Sequence, residues 1–65
     1  MKSNVKGYAA TVKAIAEEKF ELEESGASEA EVERSVHDMA KLMSEALVVG
    51  YAQMRADVDE ALEMM

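Results

Sequence analysis

Sixty-five residues with no cysteine and no proline, carrying 14 acidic against 7 basic side chains, confine this chain to one small domain of net charge −7. It has neither a disulfide framework nor a thiolate metal site, and a lone core of this size calls for a supplement, for which oligomerisation is the remaining candidate. The charge disfavours nonspecific contact with nucleic-acid phosphates or anionic lipid, which need a basic footprint, and favours basic protein partners.

Ala, Glu, Met, Leu and Lys together make up 37 of the 65 residues, and the aromatics are Tyr8, Phe20 and Tyr51 alone. These are helix formers without the β-branched, turn-rich pattern of sheets, so the fold class is all-α. No apolar run approaches the roughly 20 residues of a membrane span, and Met1-Lys2-Ser3-Asn4 lacks the apolar stretch of a signal peptide. A soluble, cytoplasmic protein is expected.

Val5, Tyr8, Val12, Ile15 and Leu22, with Ala9, Ala16 and Phe20 beside them, give one apolar face and predict a first helix over residues 4–24. Ser25-Gly26-Ala27-Ser28 punctuates it: Gly26 suits the left-handed conformation that closes a helix, and Ser28 with Glu31 has capping-box spacing for the next. From Glu29 onward Val32, Val36, Met39, Ala40, Met43, Leu47, Tyr51, Met54, Val58, Leu62 and Met65 stay on one helical face, predicting a second helix over 29–64. The expected domain is thus an antiparallel hairpin of a short and a long helix with its turn at 25–28. A competing layout breaks the long helix at Val48-Val49-Gly50, but the apolar phase runs through without a shift, which favours continuity.

A continuous second helix would be about 54 Å long against roughly 30 Å for the first, leaving about 15 residues of apolar stripe without a partner in the chain. Leu42 and Val49, seven apart, form a further apolar strip, and Ala46 and Gly50 allow close backbone approach. The expectation is a homodimer joined through Leu42, Leu47, Val49, Gly50, Tyr51, Met54, Val58 and Leu62, forming a four-helix-type bundle. Met39, Met43, Met54, Met64 and Met65 are read as core fillers in preference to an adaptable binding groove.

Chemistry-bearing motifs are absent. There is no glycine-rich phosphate loop, no Ser-His-acid set, and single Glu or His residues on open helix faces lack a desolvated cleft that would tune them as acid or base. No enzyme activity, no catalytic residue and no cofactor is expected. Glu33 and His37 lie one turn apart, but Arg34 occupies the glutamate position that a ferritin-like Glu-x-x-His motif needs, so no metal site is expected and a metal-binding bundle is a minor alternative.

The acidity is concentrated. Glu17, Glu18, Glu21, Glu23, Glu24, Glu29, Glu31 and Glu33 face Lys19 alone, so residues 17–33 carry the entire net −7, while 1–16 and 34–65 cancel. The predicted turn makes this block one tip. Carboxylates at the C-terminus of the first helix oppose its dipole, at about 0.3–1 kcal/mol per charge, and Glu17 and Glu21 repel at i,i+4. Selection for stability alone would have avoided both. The partner-binding residues expected are Glu17, Glu21, Glu24, Glu29, Glu31 and Glu33. In charge alone such a tip resembles small acidic DNA-mimic proteins, among them phage inhibitors of restriction or CRISPR systems. The expected function is a noncatalytic inhibitor or adaptor that offers the tip to a basic, nucleic-acid-binding class of protein, with no direct nucleic-acid or membrane contact. The alternative is a scaffolding homo-oligomer whose acidic surface only solubilises.

Overall fold

The computed structural model describes residues 3–65, with side chains described from Gly7 onward, and contains three helices: α1 (Ser3–Glu24), α2 (Glu29–Ala46) and α3 (Tyr51–Glu63). Val5 and the Met1-Lys2-Ser3-Asn4 segment, which entered the sequence reading, lie outside the described side chains. The all-α class holds. No described helix is long and apolar enough to cross a membrane.

The α1–α2 hairpin forms from local signals. Gly26 takes φ +89°, letting its own N–H donate to Glu23 O at 3.2 Å and the Ala27 N–H donate to Leu22 O at 3.1 Å. This bond pair is the Schellman closure, which satisfies two carbonyls left over at the end of α1. Ser28 then caps α2: its Oγ accepts from the Glu31 N–H at 3.2 Å while the Glu31 carboxylate accepts from the Ser28 N–H at 3.2 Å. Both halves of the capping box are present, with Glu29 and Glu31 placed favourably in the first turn.

The long second helix does not form as expected; it stops at Ala46, and α3 folds back onto the hairpin. The turn repeats the α1 closure bond for bond: Val48 N–H donates to Glu45 O at 3.3 Å and Val49 N–H to Ser44 O at 2.9 Å. The left-handed residue here is not glycine but Val48, at φ +57°. That conformation costs an L-residue about 1–2 kcal/mol. The return of α3 offsets it, because Met54 and Val58 become completely buried, at about 1.5–3 kcal/mol for each such side chain. The unbroken phase misled because both segments bury the same stripe. Counting about 100° per residue, Val36, Ala40, Leu47, Met54 and Val58 fall within about 40° of one another, which fits one long helix and two folded ones equally well.

Val12, Ile15 and Ala16 of α1, Val32, Val36 and Ala40 of α2, and Met54 and Val58 of α3 make the core, with Tyr8, Leu22, Met39, Met43, Leu47 and Leu62 packed at its margin. Every helix touches the other two. Phe20, expected beside the apolar face of α1, is exposed. Asp57 meets Tyr8 and Asp59 meets Lys19, points about 16 Å apart along α1. Both contacts fasten α3 to α1.

Candidate functional site

Turn geometry gathers the glutamates of the acidic block at the α1–α2 end of the molecule, and all eight are exposed. Glu17, Glu21 and Glu24 lie within about 60° of one another around α1, forming a row on the side away from Val12 and Ile15. Glu29 and Glu31 stand across the turn on the first turn of α2.

These carboxylates are not equivalent. Glu31 is occupied by the capping box. Glu33, expected in the binding tip, is taken out of it by Arg55, whose Nη1 and Nη2 donate to the two carboxylate oxygens at 2.8 and 2.9 Å. Hydrogen bonding from Arg55 holds the Glu33 carboxyl below its ordinary range, and the same contact raises the guanidinium. Among the described residues, Glu17, Glu18, Glu21, Glu23, Glu24 and Glu29 make no side-chain hydrogen bond or ion pair. Lys19, the cation inside the block, is half-buried and reaches Asp59 on α3 at 3.7 Å. The unanswered charge therefore sits on the C-terminal half of α1, where no basic residue occupies the last turn. Arg34 stands at the margin, lining a shallow groove with Leu22, Ala27, Ala30, Glu31 and Ser35.

Two polar clusters tie α3 down, and neither was anticipated from sequence. On the α2 side Arg55 Nη1 also donates to the Tyr51 hydroxyl at 2.7 Å, and that hydroxyl lies 2.8 Å from His37 Nδ1. Each atom has a distinct role when the phenol donates to an unprotonated Nδ1. The His37 and Tyr51 rings meet edge to face at 5.2 Å, and the Arg55 guanidinium lies 5.9 Å from the Tyr51 ring centre. Glu33 and His37, weighed as a metal pair, thus each have a protein partner on α3. Among the described residues no three His, Asp or Glu side chains converge as a metal site. On the α1 side the Tyr8 hydroxyl donates to Asp57, which also accepts from Gln53 at 3.2 Å. Burial first, and then Asp57, push the Tyr8 phenol up to about 12, while the Tyr8 and Gln53 hydrogen bonds lower Asp57.

The residues assigned to a dimer interface divide into two groups. Met54 and Val58 are sealed in the chain's own core, and Leu47, Val49, Tyr51 and Leu62 pack against it. This removes the uncovered overhang on which the expectation rested: the apolar stripe is covered by α1 and α2 of the same chain. Leu42, 67 % exposed, and Gly50 remain on the surface. Leu42 borders an apolar groove between α1 and α2 with Thr11, Ala14, Ile15, Met39 and Met43.

Comparison with family models, with curated proteins and with solved structures finds no match to this chain. Any functional reading therefore rests on the geometry of its own side chains.

Proposed function

We propose that this protein is a noncatalytic protein-binding module, an inhibitor or adaptor that presents the acidic end of its α1–α2 hairpin to a basic surface of a partner protein. The supporting observation is the row Glu17, Glu21 and Glu24: exposed, on one side of α1, without a side-chain partner, and with Glu21 and Glu24 in the last turn, where the helix dipole makes them a cost to the fold. Lys19, the cation within the block, is directed to α3 instead. Glu29 extends the surface across the turn. Glu31 and Glu33 belong first to the fold, through the cap and through Arg55. A rigid helix carrying carboxylates at one-turn intervals suits a groove lined by Lys or Arg, including one that otherwise holds nucleic acid, and steers association electrostatically.

The variant Glu17→Gln/Glu21→Gln/Glu24→Gln tests this because it removes charge without touching core, cap or ion pair. Affinity capture from the native host at low ionic strength should recover a basic protein with the parent chain and lose it with the variant, and the complex should dissociate as salt is raised. A captured partner that ignores both the variant and the salt would discard the electrostatic reading in favour of a scaffold whose acidic surface only solubilises.

A further inference from the structure

Local preference and tertiary structure conflict at the α2–α3 turn. Val48 holds a left-handed backbone in a closure motif that Gly26 satisfies without penalty at the other turn. Its side chain, 89 % exposed, recovers nothing by burial. Gly50 begins α3 with no side-chain cap. Across this turn the buried stripe of α2 and α3 stays in helical phase, so residues 47–50 can become helical without disturbing which face either segment buries. Each tie of α3 to the hairpin, Tyr8 to Asp57, Lys19 to Asp59, Arg55 to Glu33, and the burial of Met54 and Val58, is a side-chain contact. The α3 of another copy would satisfy all of them equally.

We propose that residues 47–50 are a hinge and that the surface of α1 and α2 beneath α3 accepts the α3 of a second copy. Opening converts α2 and α3 into a single helix from Glu29 to Glu63, and two open chains exchange their α3 segments. In the swapped dimer every contact and ion pair between α3 and the hairpin is rebuilt between chains, while those between α1 and α2 stay within each chain. The hinge is what changes: Val48 passes from the left-handed to the right-handed region, and the uncapped start of α3 disappears into a continuous helix. Short hinges under strain drive such exchange. The two long helices pass each other at their hinges, because each α3 lies on the other chain's α2, and the acidic ends fall at opposite extremes of the dimer. The inference does not depend on what those ends bind.

Two hinge substitutions act in opposite directions without touching the core. Gly50→Ala favours the open form, since alanine is a poor N-cap and a strong helix former, and an added methyl meets no atom within 4 Å in the closed form. Val48→Gly favours the closed form. The left-handed penalty is about tenfold per hinge, and a dimer contains two, so V48G should weaken dimerisation about a hundredfold and G50A should strengthen it. Light scattering after refolding over a range of concentrations reads both. Exchange itself is read by charge reversal: E33R and R55E each place like charges at the α2–α3 contact, and co-refolding them restores opposite pairs only if α3 changes chains. The expected result is a mixed dimer melting above either parent, a rescue legible even if each parent alone is unfolded. G50A remaining monomeric at every concentration, or a dimer whose co-refolded charge variants show no rescue, would overturn the proposal.

Discussion

Val48→Gly should make the closed monomer more stable, an unusual outcome for removing a large apolar side chain. In its present conformation Val48 bears the left-handed penalty of about 1–2 kcal/mol. Truncation forfeits almost no buried area, because the side chain is 89 % exposed. Against the relief stands the greater freedom that glycine gives the unfolded chain, about 0.4–1 kcal/mol. The balance is a gain of about 0.5–1 kcal/mol, which for a domain of this size raises the melting temperature by roughly 2–8 °C. The first turn supplies the reciprocal experiment. Gly26 has the same pair of closing bonds, and a Cβ added there meets no atom within 4 Å, so Gly26→Val should lower stability by a comparable amount through the backbone alone. Thermal melts followed by circular dichroism, at a dilution where light scattering gives the monomer mass, compare the two directly. A V48G melt at or below that of the parent would refute the argument that the Val48 backbone is strained.

Met54→Ala removes a completely buried side chain at about 2–5 kcal/mol; a domain of this length has a total of only about 3–10 kcal/mol, so the cooperative melt should fall by tens of degrees or vanish, whereas Leu42→Ala should stay within about 0.5 kcal/mol of the parent. Acid should destabilise through Glu33 and Asp57. Both carboxyls are lowered in the folded chain, so their contribution is complete above the unfolded value near 4 and is lost as pH falls through the folded values. Melts of Glu33→Gln should depend less on pH below about 4 than those of the parent. In alkali the sign reverses for Tyr8: its phenol rises from 10.0 to about 12, so its contribution is complete below pH 10.0 and lost as pH climbs towards 12, a loss that Tyr8→Phe should abolish in pH-dependent denaturation. Glu21→Gln/Glu24→Gln should raise the melting temperature, about 0.3–1 kcal/mol per charge removed from the end of α1; an unchanged or lower melt would mean that these carboxylates are not a cost to the fold.

The first hairpin was legible because its determinants are local. Gly26, Ser28 and Glu31 state the end of one helix and the start of the next within six residues, and backbone and side chains use them in that sense. The second turn was legible only as the disfavoured layout, the break at Val48-Val49-Gly50 that the structure shows, because what decides it is distant. Val48 is among the last residues that local preference would assign to a left-handed position, and the apolar phase carries no mark of the break. What selects the turn is the chance to bury Met54 and Val58 against α1 and α2, a tertiary gain that no window around residues 47–50 contains. The candidate site divides the same way. The acidic block could be counted from sequence, and its placement at a turn followed from the local signals. Which of its members are free could not be counted, since Lys19 and Glu33 are claimed by Asp59 and Arg55, residues whose position depends on where α3 lands. The charges show the same limit: Arg55 has Asp59 one turn after it on its own helix, yet in the folded chain it pairs with Glu33 of α2. The choice between those two carboxylates is made by where α3 packs, not by the sequence around Arg55. Here the pair ties α3 to the hairpin while, five residues earlier, the glycine at the hinge leaves the extended arrangement within reach.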